Sequence, residues 1–141
     1  MNYTTTCPAL IKQINDALEK QANNILRESG LTMSQVAVLI ELDSAEGKQL
    51  HLKALERRFE VAQPTMLGIV RRLEEKDYVT MIPDENDRRM KLVRLSGEGE
   101  KKCEYGYTHM NLAESNLLSA LNEDEREQFK TLLEKIKKSF V

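Results

Sequence analysis

The amino-acid sequence predicts a mainly α-helical fold that carries one small β-hairpin. Three observations lead there. Apolar residues recur at helical spacing along most of the 141 residues, one stretch near residue 80 switches to strand character, and aromatic residues make up only 5% of the chain. A core of aliphatic side chains and six methionines, without tryptophan, suits helix packing better than an aromatic-rich sandwich. The length fits one domain, and 40% hydrophobic with 31% charged residues is the balance of a soluble globular protein.

The first helix is expected to begin near Pro8, since proline suits the first helical turn. Leu10, Ile11, Ile14, Leu18, Ile25 and Leu26 form its apolar stripe, and Gly30 provides a C-terminal cap. Thr32 and Gln35 stand at capping-box spacing and open a second helix through Val36, Leu39 and Ile40. Asp43 to Lys48, with Gly47, reads as a turn, and Gln49 to Leu52 as a very short strand. A third helix holds Ala54, Leu55 and Arg58. A fourth starts at Gln63 or Pro64 and runs to about Lys76, with Met66, Ile69, Val70 and Leu73 facing the core. Tyr78 to Pro83 and Met90 to Leu95 read as strands, joined by the turn residues Asp84-Glu85-Asn86-Asp87. Ser96 caps a long helix through about Leu121, despite glycines at 97, 99 and 106. Asn122 with Glu125 caps the last helix, whose stripe is Phe129, Leu132, Leu133, Ile136 and Phe140. A β-hairpin placed directly after two short helices is the layout of a winged helix.

Several functions are excluded. No apolar run approaches the roughly 20 residues that span a bilayer, and Met1 to Cys7 has neither the basic start nor the apolar centre of a signal peptide. Cys7 and Cys103 match no metal-ligand spacing, and His51 and His109 lack a ligand partner at helical spacing, so no metal is expected. A reducing cytoplasm follows. No nucleophile-base-orienter set, phosphate loop or pair of acid-base carboxylates stands out, so neither an enzyme nor a cofactor is expected. Lys135, Lys137 and Lys138 read as a solvated helix end that suits the dipole.

The charge is mildly acidic overall, with a net −2, but it is unevenly placed. From Lys53 to Arg94 ten Lys and Arg face eight Asp and Glu, a local +2, and seven of nine arginines fall between Arg57 and Arg94. Phosphate attraction acts over about one Debye length, so this local balance matters more than the sum.

With the apolar stripe of the fourth helix buried, its other face presents Pro64, Thr65, Gly68, Arg71 and Arg72, with Gln63 at the exposed start. A helix entering the major groove reads bases mainly with its N-terminal residues. Gln63 suits adenine and Thr65 a base edge or thymine methyl, while Arg71 and Arg72 suit phosphate. The hairpin carries Asp87, Arg88, Arg89 and Lys91, with Arg94 beyond. Arginine at such a tip inserts into a narrow A·T-rich minor groove, and a neighbouring aspartate can orient it by a bidentate pair. The bland alternatives are a solvated helix face and a hairpin edge guarded by charge. The two features together favour DNA.

Gln63-Pro-Thr-Met-Leu-Gly-Ile-Val-Arg-Arg-Leu-Glu-Glu-Lys-Asp-Tyr-Val79, then Asp87-Arg-Arg and Leu95-Ser-Gly-Glu-Gly99, resembles the MarR family of bacterial winged helix-turn-helix transcriptional regulators, in its SlyA-like form. The resemblance implies one domain over residues 1–141, with the DNA-binding winged part at 32–96 and helical dimerisation parts at 1–31 and 97–141. It implies a homodimer on a pseudo-palindromic duplex operator, acting as a repressor released by a small lipophilic or phenolic effector or by cysteine oxidation. Gln63, Pro64 and Thr65 match the start of the recognition helix; Asp87 and Arg89 match the wing aspartate and minor-groove arginine. Three departures stand out: Gly68 replaces a base-reading arginine, Ala62 a serine-type cap, and Asp77 a glycine. Cys7 lies near the position of a reactive cysteine in peroxide-sensing relatives, and a helix N-terminus lowers a thiol pKa; Cys103 reads as packing. The rival to a DNA-binding regulator is a winged-helix dimer that binds proteins or small molecules alone.

Overall fold

Helices begin where the sequence supplies caps. In a computed structural model that describes residues 2–140, helix α1 (Cys7–Leu26) opens with the Thr6 hydroxyl accepting from the Ala9 amide. Met1 and Val141, the outer ends of the two expected dimerisation segments, lie outside the described residues. A single 3-10 turn extends α1 to Gly30, whose φ of 72° ends it in the left-handed conformation that glycine adopts without penalty. Helix α2 (Met33–Ser44) opens with the expected capping box, in which the Thr32 hydroxyl and the Gln35 amide oxygen each accept the other residue's backbone N–H at 3.2 Å. It continues two residues into the segment expected as a turn, because the Asp43 and Ser44 backbones still fit the helical ladder; Gly47, at φ 68°, makes the reversal.

There follow β1 (Gln49–His51), α3 (Leu52–Phe59), α4 (Gln63–Glu75), β2 (Val79–Pro83), β3 (Lys91–Leu95), α5 (Gly97–Leu118) and α6 (Glu123–Ser139). Each hairpin strand starts one residue later than expected. The Tyr78 amide is spent closing the end of α4 on the Leu73 carbonyl, and the Met90 amide closes the hairpin turn on Asp87. Helix α5 stops at Leu118 rather than Leu121, and the Arg126 guanidinium donates to the carbonyls of both residues at 3.1 and 3.0 Å. The strands form one antiparallel sheet in the order β1-β3-β2, with Gln49 opposite Arg94 and Val79 opposite Leu95. The predicted mainly helical fold with a hairpin wing is thus observed, with the short first strand completing the sheet.

The core lies where α2, α4, α5 and the sheet meet. Leu39, Leu42, Leu55, Met66, Val70, Leu73, Val79 and Val93 are all fully buried there, each contributing about 1.5–3 kcal/mol of hydrophobic burial. Two of the awkward glycines are explained by this packing. A Cβ on Gly106 would run into Val36 and lie 2.7 Å from Ile40 Cδ1, while one on Gly99 would strike the Tyr78 carbonyl. Glycine therefore lets α5 close on α2 and on the root of the hairpin.

The stripe of α1 divides between two destinations. Leu26 enters the core and Leu18 and Ile25 are half-buried, but Leu10, Ile11 and Ile14 face outward. Helix α6 buries no residue at all; Leu132, Leu133 and Ile136 are exposed, and Phe140 is 86% exposed. Among the described residues no helix is long and apolar enough to cross a membrane, and no group of three His, Cys, Asp or Glu side chains is placed to hold a metal.

Candidate nucleic-acid interface

Helix α4 is anchored by Met66, Val70 and Leu73, all buried, with Ile69 half-buried beside them. That anchoring turns Gln63, Pro64, Thr65, Gly68, Arg71 and Arg72 outward, and all six are exposed. Ala62 occupies the cap position with no side chain to accept from the first amides. The N–H groups of Gln63 and Thr65 are thus left without a capping acceptor at the positive end of the helix dipole. Nothing lies within 4 Å of where a Cβ on Gly68 would stand, so that position is a gap in the exposed face.

The turn from α4 to the hairpin uses Asp77 at φ 64°, the position where the sequence departs from glycine. Ser96 then ties the exit of the hairpin to its entrance, its hydroxyl donating to the Asp77 carbonyl at 2.6 Å and its amide to Tyr78 at 3.0 Å. The Glu74 carboxylate accepts from the Met81 amide at 3.1 Å, fixing β2 to α4. Along β3, Arg94 donates to the Gln49 side chain at 3.0 Å. His51 and Asp84 meet at 2.7 Å, and this contact, followed by the Asn86 amide, holds the Asp84 carboxyl below the usual carboxylate pKa. The hairpin is therefore braced at its base while its tip stands free.

At the tip, Arg88, Arg89 and Lys91 are exposed and Asp87 is half-buried. The expected bidentate pair between Asp87 and Arg89 is not formed. One aspartate oxygen, Oδ1, accepts from both the Arg89 backbone amide at 3.1 Å and its Nε at 3.2 Å. The two residues are too close in sequence for a side-on pair, so the aspartate folds back as a turn-forming side chain. The Nη atoms of Arg89, on a side chain 92% exposed, remain available. Among the described residues, Arg71, Arg72, Arg88 and Lys91 have no carboxylate partner, whereas Arg58 is paired with Glu41 at 2.8 Å and Lys48 with Asp43 at 2.7 Å.

Neither cysteine joins this surface. Cys7 is exposed as the first residue of α1. Cys103 is buried on α5, where its thiol donates to the Gly99 and Leu39 carbonyls and burial pushes its pKa up to about 11.

Residues 29–90, which contain α2, α3, α4 and most of the hairpin, match the MarR family profile. An uncharacterized HTH-type transcriptional regulator of Bacillus subtilis, YwoH, is 35% identical over 126 residues, spanning 87% of this chain and 90% of that protein. The chain belongs to the MarR family. Its fold matches that of Staphylococcus aureus MepR in a complex with DNA at a TM-score of 0.90 and 27% identity, covering 95% of this chain and 98% of that one. It also matches a mutant Escherichia coli MarR complexed with operator DNA at a TM-score of 0.84 and 24% identity, over 96% and 98% of the two chains. The family and these relatives are transcriptional regulators rather than enzymes, as the absence of a catalytic constellation in the sequence led us to expect.

A ligand, if the chain takes one, is expected between the helical body and the winged part, but the walls of such a site were not legible in the sequence. A largely apolar cleft of about 350 Å³ opens between α1, α2, the end of α3 and α5. His109, read from sequence only as a poor metal ligand, lines it. The helical period places His109 on the inner face of α5, one turn from Gly106, but four separate segments must come together before that face becomes a cleft.

Proposed function

We propose that the chain is a homodimeric repressor that binds duplex DNA and is released by a small lipophilic effector in the cytoplasm. The observation that carries this reading is the placement of unpaired cations. Among the described residues, Arg71 and Arg72 on α4, and Arg88 and Lys91 on the hairpin, are left unneutralised on the two elements that are anchored from behind and free in front. Residues 32–96 act as the DNA-binding part. Gln63, Pro64 and Thr65 at the uncapped start of α4 meet bases and phosphate in the major groove, Arg71 and Arg72 meet backbone, and Arg89 enters the minor groove with Asp87 holding its root.

Residues 1–31 and 97–141 form the dimer body. The exposed Leu10, Ile11 and Ile14 of α1 and Leu132, Leu133, Ile136 and Phe140 of α6 make an apolar surface of the sort a second copy covers. Two-fold pairing sets the recognition helices about 34–36 Å apart on a pseudo-palindromic operator. The cleft couples an effector to DNA through Phe59, which lines it and ends α3 just ahead of the turn into α4.

Selection of duplexes from a random library, with affinity followed against salt, tests this directly. The expected result is an enriched palindrome and a log–log salt slope of about −7, as eight Lys and Arg of a dimer release counterions. No enrichment, with a shallow slope, refutes it.

A further inference from the structure

We infer that His51 is a positioning residue for the wing: through Asp84 it sets where Arg89 stands, although His51 belongs to neither element assigned to DNA. The inference rests on the minor-groove reading of Arg89 above and adds the residue that aims it.

The sheet register shows how far the contact reaches. His51, the last residue of β1, stands opposite Leu92 on β3, and Leu92 stands opposite Ile82 on β2. Directly opposite residues share a face, so these three form one row across the sheet. Asp84 lies two residues beyond Ile82, just past the end of β2. The bond between His51 Nε2 and Asp84 Oδ2, at 2.7 Å, therefore spans all three strands. An ionised carboxylate only accepts, so Nε2 carries the proton and donates. Among the described residues this is the one side-chain hydrogen bond from β1 to the hairpin turn.

From Asp84 a run of hydrogen bonds leads to the tip. Its Oδ1 accepts from the Asn86 amide at 2.9 Å, and its own amide donates to the Met90 carbonyl at 2.9 Å. The Met90 amide donates to the Asp87 carbonyl at 2.9 Å, and Asp87 Oδ1 accepts the amide and Nε of Arg89 at 3.1 and 3.2 Å. The turn is thus tied to itself throughout and moves as a unit. His51 is what fastens that unit to the sheet, besides the two strands that run into it. The Arg89 side chain is 92% exposed and is located only by Asp87, so a shift at Asp84 reaches the guanidinium. A minor groove about 6 Å wide tolerates little displacement of the tip.

Energetic coupling between His51 and Arg89 decides the matter, since contiguous contacts do not by themselves act together. Fluorescence anisotropy well below the melting midpoint would compare the selected operator duplex carrying A·T-rich or G·C-rich flanks. The proteins are the full-length parent, His51→Ala, Arg89→Ala and the double variant. His51→Ala is expected to weaken the A·T-flanked duplex about tenfold and the G·C-flanked one less than about threefold. In the Arg89→Ala background the same change should cost less than about twofold. His51→Gln, which keeps an N–H donor at similar reach, should recover most of the loss. Asp84→Ala cuts the bond from its other side and should repeat the pattern, which keeps the test open if His51→Ala does not fold. No loss, an equal loss on both duplexes, or a loss that persists without Arg89 overturns the inference; in the last two cases His51 touches phosphate itself or only supports the fold. If Arg89→Ala binds every duplex as the parent does, or selection enriches no duplex, the reading beneath it falls and the inference with it.

Discussion

Two glycines two residues apart at the start of α5 should respond in opposite directions to the same substitution. Nothing lies within 4 Å of where a Cβ on Gly97 would stand, and its φ is not left-handed. Gly97→Ala therefore removes backbone freedom from the unfolded chain at no steric cost and should stabilise by about 0.4–1 kcal/mol. Gly99→Ala gains the same entropy but drives its methyl into the Tyr78 carbonyl and to 2.8 Å from Leu95 Cδ1. The carbonyl cannot turn away, because it accepts the Ser96 amide at 3.0 Å, the bond that closes the base of the hairpin. Overpacking of this sort costs about 1–3 kcal/mol or more where backbone must shift, which leaves a net loss of about 2 kcal/mol. Thermal denaturation at one fixed protomer concentration is the assay, since association shifts the midpoint. At about 2–4 °C per kcal/mol for a chain of this size, Gly97→Ala should melt a few degrees above the parent and Gly99→Ala about 4–8 °C below it. A Gly99→Ala protein as stable as Gly97→Ala would refute the close approach of α5 to the hairpin root.

Arg89→Ala should weaken binding most on operators with A·T-rich flanks, read by gel shift on a matched set of duplexes; an equal loss on every sequence would remove the minor-groove role. Gly68→Arg should fold normally, since the site is open, and should add a base preference worth about 1–3 kcal/mol at one operator position; an unchanged selected motif would place Gly68 away from the bases. In a thiol-reagent time course Cys7, which is exposed, should be modified quickly, and Cys103, buried with its pKa pushed up to about 11, should react only on unfolding; rapid modification of both would contradict the packing of α5. Cys103 and Tyr107 are both held neutral in the fold, rising from 9.0 to about 11 by burial and from 10.0 to about 12 mainly by the bond to Asp43. Raised values add stability that is complete below about pH 9 and lost as pH climbs through 11 to 12, because the unfolded chain gives up its protons first. Tyr107→Phe should flatten that alkaline limb in denaturant titrations, and an unaltered limb would count against the Tyr107–Asp43 bond.

The features that read correctly from sequence are those decided within a few residues. The capping boxes at Thr32–Gln35 and Asn122–Glu125, the left-handed Gly30 and the strand character of β2 and β3 each depend on neighbours in the chain. The candidate interface was legible for the same reason, as α4 and the hairpin tip are local elements whose exposed faces follow once the buried stripe is known. What periodicity could not say is where an apolar stripe goes. Leu26 and Leu10 lie on one helix with the same chemistry, yet one is in the core and the other faces outward. The cleft at His109 and the tight approach at Gly106 arise from segments far apart in the chain, and local spacing carries no record of them. The Asp87–Arg89 contact failed as a bidentate pair for a subtler reason: a spacing of two residues favours the backbone amide as a partner.

Because Leu132, Leu133, Ile136 and Phe140 of α6 stand exposed, the proposed pairing makes abundance part of the regulator's structure. Separation of the subunits would return that row to water, so loss of the partner and loss of stability would come together. Below the pairing constant, the number of DNA-competent units would grow with the square of the protomer supply. A modest fall in synthesis would then clear the operator sooner than simple proportion predicts, even with no effector present.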